Sequence, residues 1–481
     1  MLTTKALQPS RSFRELGAEP AAAPTAPAPT PEPGKSAAPR PLLALAASSR
    51  HAQESNPARK VAFYAGILFL FFRLGAVPEV LFALTKTATP LLYITAIPAL
   101  LGMLFTGGLQ RILRFRAAVF WLLFTGWMLL AAPFSSWVGG STLAVWDYAR
   151  LHLPALFVVA GLAVSWKEVR AVFYTFACAA IWNLISARLF ATVLNGRFEM
   201  SAASGAIGNS NDLARQLLLL LPFLLFIALD RRSVAIRILV AGTLGYGVYI
   251  VLGTASRGGM LALALSCAVF FFCASTRQRA VILPALIVIA VVIPLLLPSV
   301  TLGRLGTLFG GRDAEAEESA AQRSYLFQQS VTYTLQHPLF GVGPDQFANF
   351  EGHDRTSQGQ QGLWHATHSS FTQVSSECGI PALIFFLCGI GSAVVLVARV
   401  YRQARRKAYK DLANASLCYL ASMAGFLGAL TFLSGAYTFE LPAMVGLGIA
   451  ISMGASREMA ARSSQARFAP ASPVWSFSPA R

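Results

Sequence analysis

The chain has 481 residues, of which 55% are hydrophobic and only 12% charged, with a mean hydropathy of +0.57. Soluble domains carry about 25% charged residues, so an ordinary water-soluble enzyme is excluded. Its 39 Lys and Arg against 21 Asp and Glu give a net charge of +18, which alone would suggest a nucleic-acid partner. A basic groove must be built on soluble surface, however, and this chain has little.

Residues 1–58 differ from all that follows. Ten of the first 60 residues are proline, and a stretch such as AAAPTAPAPTPEPGKSAAPRP cannot bury enough apolar surface to offset its ordering entropy. A disordered cytoplasmic tail is expected. It is not a secretory signal, because the apolar patch at 42–47 is too short.

From Val61 onward, apolar runs follow one another, broken by short polar links. Twelve are predicted, at roughly 61–82, 89–106, 117–133, 148–165, 171–190, 213–229, 238–254, 258–275, 280–298, 377–398, 412–433 and 438–454. Each approaches the ~20 residues needed to cross hydrocarbon, and backbone without water must be helical there. The expectation is an all-α polytopic membrane protein. Residues 59–298 hold helices 1–9, 299–376 a large periplasmic loop, 377–454 helices 10–12, and 455–481 a cytoplasmic tail.

Positive charge supports that count. With the N-terminus inside, the short inner links carry 16 Lys and Arg, while the short outer links carry three, Lys86, Arg197 and Arg257. An error of one helix would spoil this alternation. Six cysteines lie in or at the ends of apolar runs without a CxxC pair, and read as small packing residues.

The long outer segment carries four of the six histidines: His337, His353, His365 and His368. Tyr325, Ser330 or Val331, and Leu335 fall at helical spacing, so a folded cap over the outer face is expected. The segment 337–344, HPLFGVGP, reads as a helix stop and a turn. It is no phosphate loop, since no strand precedes it and no GK[ST] follows.

Charges at the membrane's outer edge are the first candidates for function, because burying them is costly. Arg257, in TASRGG (254–259), sits beside glycines and a helix N-terminus, which suits an anion; lipid snorkelling is the plainer alternative. Arg215 lies one turn inside an apolar helix after GNSND, where Asn209 or Ser210 can cap and Asn211 and Asp212 occupy the first turn. Capping explains the polar cluster but not the arginine. Arg323 follows an acidic run at 313–318 and is open to pairing with it. Arg73 and Glu79 read as a mutually neutralising pair.

The sharpest feature is HATHSSF (365–371). A histidine just before a helix N-terminus is biased toward the neutral form, which can accept a proton as a general base. Ser369 or Ser370 would cap the helix. An HxxH metal site lacks a third ligand set, and solvated loop histidines are the bland alternative.

In order along the chain, GNSNDLA (208–214), SRGG (256–259), Arg323 leading to HPLFGVGP, and His368-Ser-Ser-Phe followed by Glu377-Cys-Gly resemble the O-antigen ligase and Wzy-type polymerase family of bacterial envelope glycosyltransferases. The resemblance spans about 60–454 and is most specific at 205–390. The family usually has Asn where this chain has Ser369. The resemblance implies a C-type, metal-independent, inverting glycosyltransferase with no cofactor. It would move glycan from an undecaprenyl-diphosphate carrier to an acceptor hydroxyl at the periplasmic face of the bacterial inner membrane, with both termini cytoplasmic. The acceptor would be lipid A–core for a ligase, or a second lipid-linked repeat unit for a polymerase. Arg257, Arg215 and Arg323 would then hold the diphosphate. His368 would be the base and His365 its fallback or an orienting partner, with Asn209, Asn211, Ser256, His337 and Glu377 in support. A transporter or flippase for lipid-linked sugars is the alternative; it predicts repeated halves with broken helices.

Overall fold

A computed structural model describes residues 56–194, 196–200, 209–230, 233–306 and 314–468. The expected N-terminal tail lies almost wholly outside these residues, as does the end of the C-terminal one. The described chain is mostly helical.

The first apolar run breaks into α1 (Pro57–Leu74) and α2 (Val77–Thr85), bent by 62°. The break falls at Gly75-Ala76, with Ala76 in the left-handed region at φ 48°. Arg73 and Glu79 pair across it at 3.2 Å, as their spacing suggested. Next come α3 (Leu91–Phe105), the short α4 (Gly108–Ile112) and α5 (Arg116–Ala131). Then α6 (Val138–Asp147) passes through a π-turn (Tyr148–His152) into α7 (Pro154–Leu162). Ser165 and Glu168 form a capping box that starts α8 (Trp166–Phe190), satisfying donors otherwise orphaned at the helix end. A small hairpin, β1 (Thr192–Leu194) with β2 (Arg197–Glu199), lies on the way to α9 (Ser210–Asp230).

Helices α10 (Val234–Gly253), α11 (Arg257–Cys273) and α12 (Thr276–Leu296) follow. The large loop holds α13 (Ser299–Gly306), α14 (Ala314–Gln336) and α15 (Phe347–Ser357). The last three helices are α16 (Ser370–Arg406), α17 (Lys410–Leu430) and α18 (Glu440–Phe468). Helix α16 begins earlier than the apolar run that announced it, because the polar residues 370–377 turn inward against protein rather than lipid. Ser369 occupies its N-cap position without a side-chain cap bond.

Among the described residues, seven helices are long and apolar enough to cross a membrane, or eight counting the bent α1–α2 pair as one span. The chain is thus a multi-pass membrane protein. Two shorter apolar helices, α3 and α11, fall below that length.

Helix α17 is central, packing against α9, α11 and α16. Aromatic rings fill the interior: Trp121, Phe124 and Phe386 meet one another, and Trp121 Nε1 donates to the Tyr148 hydroxyl at 2.8 Å. That bond satisfies two polar groups in an otherwise apolar core.

The HPLFGVGP turn docks on a break in α16. Gly379 has φ 83°, and Ile380 N–H donates to Pro338 O at 2.8 Å. Val342 N–H and Gly343 N–H donate to Ser376 O and Glu377 O, at 2.8 and 2.9 Å. Gly341, at φ 67°, lies so close to the Glu377 backbone that a Cβ would clash. Only glycine allows both the left-handed backbone and this approach.

Candidate functional site

Helix α9 brings the first arginine. The Asn209 side chain caps it, accepting Asp212 N–H at 2.9 Å and donating to the Asp212 carboxylate. One turn deeper, Arg215 is only 3% exposed, between Asp212 at 3.4 Å and the buried Glu440 at 3.8 Å. Its guanidinium packs on Gly435, where a Cβ would collide with it. Asn211 Oδ1 accepts from Arg197 at 2.8 Å, and Arg197 also donates to Thr254 O at 3.0 Å. The hairpin thereby ties the start of α9 to the end of α10.

Arg257 is the first residue of α11. Ser256 caps this helix, accepting Gly259 N–H at 3.2 Å. Glycines in the first turn let α11 fit closely, Gly258 against Phe432 and Gly259 against Ala214.

Arg323, on α14 of the outer loop, completes the set. One small cavity is lined by Asn211, Arg215, Ser256, Gly258, Gly259, Arg323, Ala429, Phe432 and Leu433. Residues from α9, α11, α14 and the α17–α18 turn thus meet at one point, though they are distant in sequence. Burial, then the nearby charge of Arg257, lowers the Arg323 pKa. A buried cation further disfavoured by a neighbouring positive charge is a place where an anion is welcome.

His368 sits at the mouth of α16, half-buried, with φ 56°. Its N–H donates to Ser434 Oγ at 2.9 Å, and Thr367 Oγ1 lies 3.1 Å from the same oxygen. Ser370 Oγ donates to Leu433 O at 2.6 Å and accepts Gly435 N–H at 2.9 Å. Burial, then Arg323 and His365, lowers the His368 pKa to about 4. The imidazole is therefore neutral at ordinary pH, with a nitrogen free to accept a proton.

Other expected residues lie elsewhere. His365 is exposed. His337 is exposed and packs edge-on against Phe350, 5.8 Å between ring centroids, away from the cavity lining. Glu377 is a buried brace: its carboxylate accepts Asp345 N–H at 3.0 Å and Phe347 N–H at 3.4 Å, holding the start of α15. Asn209 acts through the α9 cap. Among the described residues, no group of three or more His, Cys, Asp and Glu side chains is placed to hold a metal. Ser434, Gly435 and Glu440 were not anticipated, because a Ser-Gly turn between apolar helices has no distinguishing pattern.

Fold and site thus define a polytopic helical membrane protein with an arginine-lined cavity beside a neutral histidine. Residues 242–387, which include Arg257, Arg323, His365, His368 and Glu377, match the family model described as O-Antigen ligase. No curated protein matches the chain. The family gives a ligase- or polymerase-type role in polysaccharide biosynthesis.

Proposed function

We propose that the chain is a glycosyltransferase that moves glycan from undecaprenyl diphosphate to an acceptor hydroxyl at the periplasmic face of the inner membrane. The observation that carries this reading is the shared cavity of Arg215 and Arg323, with the charge of Arg257 acting on Arg323. A diphosphate leaving group gains negative charge as the anomeric bond breaks. Arginines fixed around it stabilise that charge without reorganising, so the reaction needs no metal or other cofactor. His368 takes the proton from the acceptor hydroxyl, and attack from the face opposite the diphosphate inverts the anomeric carbon. His365 is the fallback base.

In this reading the chain crosses the membrane twelve times, with both termini cytoplasmic, and the loop carrying Arg323 closes over the donor. The positive-inside bias of the short links supports that orientation. Lipid A–core and a second lipid-linked repeat unit both carry a hydroxyl that can serve as acceptor.

The test is reconstitution in proteoliposomes with undecaprenyl-diphosphate glycan and one acceptor at a time. Product with lipid A–core alone identifies a ligase, and product with the lipid-linked unit alone a polymerase. Glycan that crosses the bilayer without a new bond would instead establish a flippase and reject this proposal.

A further inference from the structure

Upstream of His368, the loop presents an indole that plays no part in the donor site. Trp364 is 47% exposed and has a left-handed backbone, φ 56°. Elaborate packing holds it there. The Glu351 carboxylate, on a fully buried residue, accepts both Leu363 N–H and Trp364 N–H at 3.2 Å. The ring lies against the backbone of Gly352 and Gly362, where any Cβ would strike the indole. His353 meets it edge-on, 4.9 Å between centroids, and is itself held by a 2.7 Å bond from Nδ1 to Asn349 O.

The loop core formed by Leu326, Tyr333, Val342 and Phe347 does not take in this ring. Here the backbone is instead strained and pinned to keep it exposed. Such expenditure at a surface position points to a ligand. Trp364 lies four positions before His368, so their Cα atoms lie within about 14 Å. Thr367 and His368 are anchored on Ser434, which fixes the far end of this short segment.

We infer that Trp364 is a stacking platform for the acceptor saccharide. A sugar ring has an apolar C–H face and a rim of hydroxyls. The negative face of an indole attracts the C–H face, while the exposed imidazoles of His353 and His365 meet the rim. Rigid indole costs little entropy on binding. A sugar stacked there brings a hydroxyl a short way along the chain to His368. This assignment deepens the glycosyl-transfer reading, and rests on it for the identity of the bound glycan as acceptor.

The experiment uses the full chain in lipid nanodiscs, without donor. Two probes are titrated: core oligosaccharide freed of lipid A by mild acid, and repeat-unit oligosaccharide released from the cell's own surface glycan. One of them should bind, with Trp364→Ala weakening it about five- to tenfold and Trp364→Phe retaining most of the affinity. In the transfer assay, the acceptor KM should rise by the same factor while the donor KM stays within twofold. Binding of neither probe, or equal binding by wild type and Trp364→Ala, overturns the platform. If Trp364-dependent binding is found but no glycan is transferred, the reaction is wrong and the saccharide site stands.

Discussion

The main-chain N–H of His368 and the hydroxyl oxygen of Ser434 are 2.9 Å apart, and this bond joins the proposed base to the turn between α17 and α18. The same turn packs Gly435 on Arg215 and contributes Phe432 and Leu433 to the arginine cavity. One short link therefore touches both the proposed base and the proposed diphosphate clamp.

If His368 is the base, Ser434 is a positioning residue that acts through it. Ser434→Ala should lower kcat on the order of tenfold or more with the donor KM nearly unchanged, and Ser434→Thr should restore the rate. Steady-state kinetics of the three proteins check this. A fall in kcat that threonine does not rescue would reduce the residue to packing.

Gly435→Ala should act on the other half. A methyl group there displaces the Arg215 guanidinium, so the donor KM should rise about tenfold while kcat changes less. Two adjacent substitutions would then separate binding from chemistry. Kinetics at varied donor concentration read the difference, and a shared pattern for both variants would contradict it.

The acidity of His368 gives a pH test. Its folded pKa, about 4, lies below the ordinary 6.5 because of burial, then Arg323 and His365. The base is lost only on protonation, so the acid limb of kcat/KM, which reports the free enzyme, should fall near pH 4. Arg323→Gln removes a neighbouring positive charge and should move that limb toward neutrality. Bound diphosphate offsets the same charge, so the acid limb of kcat should lie above that of kcat/KM. Coincident limbs in wild type and variant would show that Arg323 does not act on the base.

Much of this was legible in the chain. An arginine inside an apolar helix, or in a tight outer turn between two, is conspicuous, so Arg215 and Arg257 stood out, and Arg323 joined them through motif order. HATHSSF was visible as histidines just before a helix N-terminus. What sequence could not show was docking. The glycines of 337–344 looked like a turn, but Gly341 is needed for close approach to Glu377 across the break at Gly379. Residues 370–376 read as loop because their polar side chains find buried partners, and periodicity does not distinguish that from solvent. Ser434 lies 66 residues from His368, and a serine before a glycine gives no sign of such a contact. Trp364 was hidden likewise, as its exposure depends on Glu351 and two glycines outside its own pattern.

The central claim is that the arginines hold a diphosphate donor while His368 performs the proton transfer. The most direct measurement compares His368→Ala with wild type in proteoliposomes, reading donor binding and single-turnover transfer separately. Donor affinity should be retained, and transfer should fall by about 10²–10⁴. Near-normal transfer by His368→Ala would contradict the account.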